Sequence, residues 1–363
     1  MDNEPDSISN YYADAKDAFP FAERVGGGAR FKTFEEIQEK DGPIRAFVAQ
    51  AADILASFGP EIGRKCKIRI AIFESLSPSY FAAGKKGSND FLICISEAFF
   101  LDVAVTSSYL LNIKEIREFF KINDGKYSTK LGPDLVSIEE IDPESIRSNF
   151  PLSTPPAMDT MFFFFLHEIS HIINGHIDLK FEEDSEFLIE SEISVTSKSL
   201  EVDADCFATS NFSKIIMEIS GFNRGLNPEK GRYVFGYITL IISIAFFNMN
   251  IESVLFETKM REGKTHPNPL VRFHLCMMSL MTNFPNFDPE DKEYMNVFFM
   301  VFSVFRRKSD EILKDIEENH FKDRMETQFN YIIEIERRWN DIRPILMNLK
   351  RRISDLAPTN SRI

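Results

Sequence analysis

Cysteine is scarce in this chain and basic residues are outnumbered, and each shortage narrows the field. Only 4 cysteines occur in 363 residues, Cys66, Cys94, Cys206 and Cys276, far apart and with no Cys-x-x-Cys pair. That spacing indicates neither a disulfide framework nor a thiolate metal site, and is compatible with a reducing compartment. There are 42 Lys and Arg against 56 Asp and Glu, a formal net charge of −14, whereas nonspecific nucleic-acid binding calls for a basic footprint. No nucleic-acid partner is expected. The first residues, Met1 to Asp6, lack the basic start and apolar core of a signal peptide, so a cytoplasmic protein is expected. Long apolar runs are few as well. The uncharged stretch 233–251 has an apolar part, 233–247, shorter than the roughly 20 residues that span a bilayer, which points to a buried helix rather than to membrane association. The run 294–305 is shorter still and reads the same way. What remains, with 44% hydrophobic and 27% charged side chains, is a folded globular protein of one large or two ordinary domains.

Residues 1–29 are polar and end in Gly26-Gly27-Gly28, without a phosphate-loop pattern, and are expected to be a flexible tail and hinge. Ile44, Phe47, Ala51, Ile54, Leu55 and Phe58 stand at helical spacing before the turn Gly59-Pro60. Residues 67–73 alternate charge with branched apolar side chains, and 91–95 form a short apolar run. Both predict strands, joined through the loose segment 84–90. Thr154-Pro155-Pro156 supplies an N-cap and first-turn prolines, and Gly175 a stop, so a helix is predicted over 155–174. Residues 178–192 are rich in acids and read as a solvated connector. A second amphipathic helix follows through Leu200, Ala204, Phe207, Ala208, Phe212, Ile215 and Ile216. Beyond Pro289 the pattern is helical, and its charged amphipathic end, 325–356, suits packing on a domain or on a partner protein. The expected fold is therefore α+β and mostly α-helical: a tail (1–29), a main domain with a small sheet (30–285) and a helical C-terminal region (286–363).

Of the 6 histidines, three lie in the segment His167-Glu168-Ile169-Ser170-His171-Ile172-Ile173-Asn174-Gly175-His176, directly after Met161-Phe162-Phe163-Phe164-Phe165-Leu166. Polar side chains in so apolar a helix need partners. Positions i and i+4 lie about 40° apart around a helix, so His167 and His171 can aim both imidazoles at one metal ion. Glu168, about 100° round from His167, falls beside that ion, where it can take a proton from water the metal activates. Composition alone would produce His-Glu-x-x-His in on the order of one in a hundred such chains, so its place within a helix carries the reading. A catalytic zinc takes three protein ligands. A metzincin would have glycine at 174 and histidine at 177, but this chain has Asn174 and Ile177. His176 remains a candidate, since the break at Gly175 could swing it back. So does Glu201, in Leu200-Glu201-Val202-Asp203-Ala204-Asp205, where Glu201 and Asp205 share one helix face and either carboxylate could bind the metal or hold a ligating histidine.

His-Glu-x-x-His followed by Glu-x-x-Ala-Asp resembles the gluzincin metallopeptidases, especially the HtpX-like and CAAX-protease-like branch. The decapeptide also resembles the soluble Lit-type phage-exclusion peptidases. The resemblance spans about residues 85 to 280. It implies a zincin-like core, a zinc ion held by His167, His171 and Glu201, Glu168 as general base, and Asp205 next to a ligand. Thr265-His266-Pro267-Asn268-Pro269-Leu270-Val271-Arg272 matches the His-Pro and downstream arginine of that branch, implying that His266 donates to the oxyanion and Arg272 braces the carboxylates. Asn89 resembles the asparagine before the family's edge strand, which would place an extended protein or peptide substrate along 91–95. The function implied is zinc-dependent endopeptidase action on an intracellular protein substrate. The alternative is a non-proteolytic zinc-binding regulatory or scaffold protein, for which the base Glu168 would be superfluous.

Overall fold

The computed structural model describes residues 8–13, 30–40, 42–58, 66–75, 78–84, 88–120, 155–182, 190–220, 228–257, 269–284, 287, 291–314, 333, 335 and 337–346. Along the chain the strands are β1 (Arg30–Phe31), β2 (Lys67–Glu74), β3 (Tyr80–Gly84) and β4 (Asp90–Ser96). The helices are α1 (Phe34–Lys40), α2 (Gly42–Ser57), α3 (Glu97–Leu111), α4 (Lys114–Phe120), α5 (Pro155–Ile173), α6 (His176–Glu182), α7 (Glu190–Ile219), α8 (Pro228–Glu257), α9 (Pro269–Asn283) and α10 (Lys292–Lys314). The fold is α+β, mostly helical, with one mixed sheet.

The chain forms two compact units, each discontinuous in sequence. The first comprises residues 1–104, 143–187 and 345–354. Its sheet has the order β1-β2-β4-β3, with β2 and β4 parallel and the outer pairs antiparallel. Burial along β2 is nearly continuous. Arg69 is accommodated by a two-pronged contact with Asp90 (Nη2 to Oδ2 2.7 Å) on the neighbouring strand. β4 lies inside the sheet, and β3 is the strand at the end of the order. The expected edge strand at 91–95 is thus corrected: Tyr80–Gly84, which overlaps the supposed loop 84–90 only at Gly84, lies at that end of the sheet.

Within the expected tail, residues 8–13 are described. Ile8–Tyr11 forms a 3-10 turn, Ala13 donates its backbone N–H to Ile70 O (2.8 Å), and Tyr12 is buried with its hydroxyl donating to Lys32 O (3.0 Å). Burial pushes the Tyr12 phenol well above its ordinary value, so it stays protonated in its role as donor. Two helix starts in this unit are closed by side chains. Thr33 and Glu36 form a reciprocal capping box at α1, and Ser96 Oγ accepts from Phe99 N–H at α3. The helices meet the sheet through aromatics. Phe47 of α2 packs on Phe100, Phe162 and Phe165, and Tyr80 of β3 packs on Phe99 and Phe164. Each such pair contributes about 0.5–1.5 kcal/mol beyond its area term.

The second unit comprises residues 105–142, 188–344 and 355–363 and is helical throughout its described part. Its centre is α8, which packs against α7, α9 and α10. Residues Gly231–Met249 of α8 are long and apolar enough to cross a membrane, and 83% of that stretch is buried within the protein, as the buried-helix reading requires. Thr106 donates to Asn248 Oδ1 (2.7 Å), which satisfies the acceptor half of this asparagine in an apolar helix. Ile335, Trp339 and Ile342 recur at helical spacing and are buried, Ser199 Oγ donates to Ile335 O (3.2 Å), and Arg338 Nε donates to Thr196 Oγ1 (2.7 Å). This part of the C-terminal amphipathic stretch therefore packs on its own chain.

Candidate metal-binding cluster and buried ion triad

Helix α5 is the scaffold of the first cluster. Prolines open it and an apolar run follows, and from Thr160 to Ile177 every residue is buried. His167, Glu168 and His171 bring their ligating atoms within 4.8 Å of one another. The two Nε2 atoms stand 3.1 Å apart, and Glu168 Oε1 is 4.0 Å from His167 Nε2. A four-coordinate ion bound by two imidazoles at 2.0–2.1 Å holds their nitrogens about 3.3 Å apart, so the pair fits such an ion nearly unmoved. Asn174 donates to Ser170 Oγ (3.1 Å), so the remaining polar groups on this side of the helix satisfy each other.

The helix stops where the sequence predicts. Gly175 has φ 81°, the left-handed region, and its N–H reaches Ile172 O (3.3 Å). The acidic connector then begins as helix α6, with Ile177 and Leu179 buried, which departs from a wholly solvated segment. The break returns His176 to the cluster, with its Nδ1 3.0 Å from His171 Nδ1. Replacing Gly175 by Ala should therefore cost about 1–2 kcal/mol for a side chain in this conformation, readable as a lower urea midpoint with an unchanged slope. No loss of stability would mean that the φ can relax.

Two further residues line this cluster that the sequence did not single out. Tyr80 places its ring 6.4 Å from that of His167, edge-on. Cys94 lies on β4, and burial followed by the nearby Glu168 charge pushes its thiol well above the usual range, so it is a thiol and not a thiolate. Only a structure reveals either, since β3 is short and Cys94 reads as one more apolar residue.

The second cluster lies in the helical unit. Arg272 of α9 donates to both carboxylate oxygens of Asp205 on α7 (Nε to Oδ2 2.6 Å, Nη2 to Oδ1 2.8 Å), and its Nη2 is 3.5 Å from Glu201 Oε2. The three side chains are buried, Asp205 completely, and the guanidinium lies 5.5 Å from the Phe246 ring. The i, i+4 spacing on α7 is what lets one arginine serve both carboxylates. Half-buried Cys206 and buried Cys276, both near Asp205, have their thiols pushed up first by burial and then by that charge. None of the four cysteines is in a disulfide. His266 lies outside the described residues.

With the geometry of His167, Glu168 and His171 in view, comparison with known families bears on the class. A family described as Peptidase U49 matches residues 154–328. The match runs from the start of α5 through both clusters, just under half of the 363 residues, and supports a peptidase and hence a protein or peptide substrate. Of the two resemblances in the sequence, it is the Lit-type one. Comparison with curated proteins and with solved structures gives no match.

Proposed function

We propose that the protein is a cytoplasmic zinc-dependent endopeptidase with a zincin-like core, in which His167, His171 and Glu201 hold the zinc. The observation that carries this reading is the pair of imidazole Nε2 atoms 3.1 Å apart on a buried helix with the Glu168 carboxylate beside them. Two imidazoles and a carboxylate are a donor set that zinc favours. Glu201 is supported by its sequence order after the motif. When bound, zinc polarises a carbonyl and makes a water molecule acidic near neutral pH.

The chain's own groups do the rest. Glu168 takes the proton from the attacking water and passes it to the leaving amine, and His266 donates to the oxyanion. Arg272 keeps Asp205 and Glu201 fixed through its fork of N–H donors. An extended substrate would pair with β3, one of the two end strands in the sheet order and the one that carries Tyr80 to His167. Cysteines outside disulfides are compatible with a cytoplasmic setting and an intracellular protein substrate. Metal analysis of wild type and Glu201→Gln tests the ligand set: one zinc per wild-type chain and much less in the variant are expected. Equal zinc in both would remove Glu201 from it.

A further inference from the structure

His176 is fully buried, yet the proposed ligand set does not use it. On an uninterrupted helix, residue 176 would stand about 140° round from residue 171 and face elsewhere. The positive φ of Gly175 instead sets the two rings 5.0 Å apart, edge to face, with Nδ1 opposite Nδ1 at 3.0 Å. His171 thus has a histidine at each of its ring nitrogens: His167 at Nε2 and His176 at Nδ1.

We infer that His176 is a positioning residue that holds His171 in the tautomer and orientation required of a metal ligand. The inference rests on the zinc-site reading above. A neutral imidazole carries one proton. With that proton on Nδ1, His171 donates to the Nδ1 lone pair of His176 and keeps its Nε2 lone pair for the metal. His176 then carries its own proton on Nε2. With the proton on Nε2, His171 has no lone pair left on the side facing His167, and its Nδ1 instead needs a donor. The burial of His176 matters here, because water has little access to take over its bond to Nδ1. A partner of this kind both orients a ligating imidazole and raises its basicity.

Competitive zinc titration against a chromophoric chelator, with wild type, His176→Ala and His176→Asn, tests the inference. Loss of such a partner weakens metal binding about 10–100-fold, and that is the expectation for His176→Ala. His176→Asn should lie within a few-fold of wild type, because the asparagine Oδ1 hangs from Cγ as Nδ1 does and accepts the same bond. Nitrogen-15 spectra of zinc-loaded wild type should show His171 protonated at Nδ1, a signature that does not depend on any variant folding. Unchanged affinity in His176→Ala, or His171 protonated at Nε2, would overturn it. So would a His176→Asn loss as deep as that of His171→Ala, which would make His176 a ligand. A wild type that takes up no zinc would overturn the metal-site reading and this inference with it, and is distinguished by arising before any substitution.

Discussion

Glu168→Gln abolishes most peptide hydrolysis and leaves the metal in place. A positioned general base is worth about 10²–10⁴-fold in rate, or about 3–5 kcal/mol of barrier, and glutamine keeps the shape of glutamate while losing the proton acceptor. The Nε2 pair of His167 and His171 does not depend on that carboxylate, whose nearer oxygen is 4.0 Å from His167 Nε2. Steady-state cleavage of a peptide library, run beside metal analysis of the same preparation, separates the outcomes. Full activity in a metal-replete Glu168→Gln preparation would sink the general-base role. Loss of the metal together with activity would instead make Glu168 a ligand.

Arg272→Met is the substitution with the largest expected effect on stability. It keeps most of the apolar stem and removes the only cation seen between two buried carboxylates among the described residues. Breaking a buried ion pair by deleting one partner costs about 3–5 kcal/mol, most of it the penalty of the charge left behind. The urea midpoint should fall accordingly, and adding Asp205→Asn should return part of the loss by removing the stranded charge. Arg272→Lys should not restore the wild type, since an ammonium cannot span both Asp205 oxygens as the guanidinium does. If Arg272→Met and wild type unfold at the same urea concentration, the triad is not held by charge.

The metal-motif helix was legible because three independent signals agree on it: prolines at the start, glycine at the stop and apolar periodicity between. Pro155–Ile173 and the turn at Gly175 follow directly. The strands at 67–73 and 91–95 were legible for their branched residues and differ by one residue at an end or two. β3 was not, since Tyr80-Phe81-Ala82-Ala83-Gly84 has no alternation and small residues weaken its propensity. That omission misplaced the edge of the sheet. The bond between His171 and His176 was beyond any reading of spacing, because it depends on one dihedral angle at Gly175. Arg272 and Asp205 lie 67 residues apart in the chain, and only the pattern of a known family linked them beforehand.

The discontinuity of the first unit bears on how the chain emerges during synthesis. Its sheet and α2 are complete once Ala104 has been made, but the rings that cover Phe47 and Tyr80 arrive with Phe162, Phe164 and Phe165, roughly 60 residues later. At ordinary translation rates that interval lasts about 3–12 s. For that time an apolar surface stands ready on the nascent chain with its own cover still unmade, which is the circumstance in which a newborn protein depends on a chaperone.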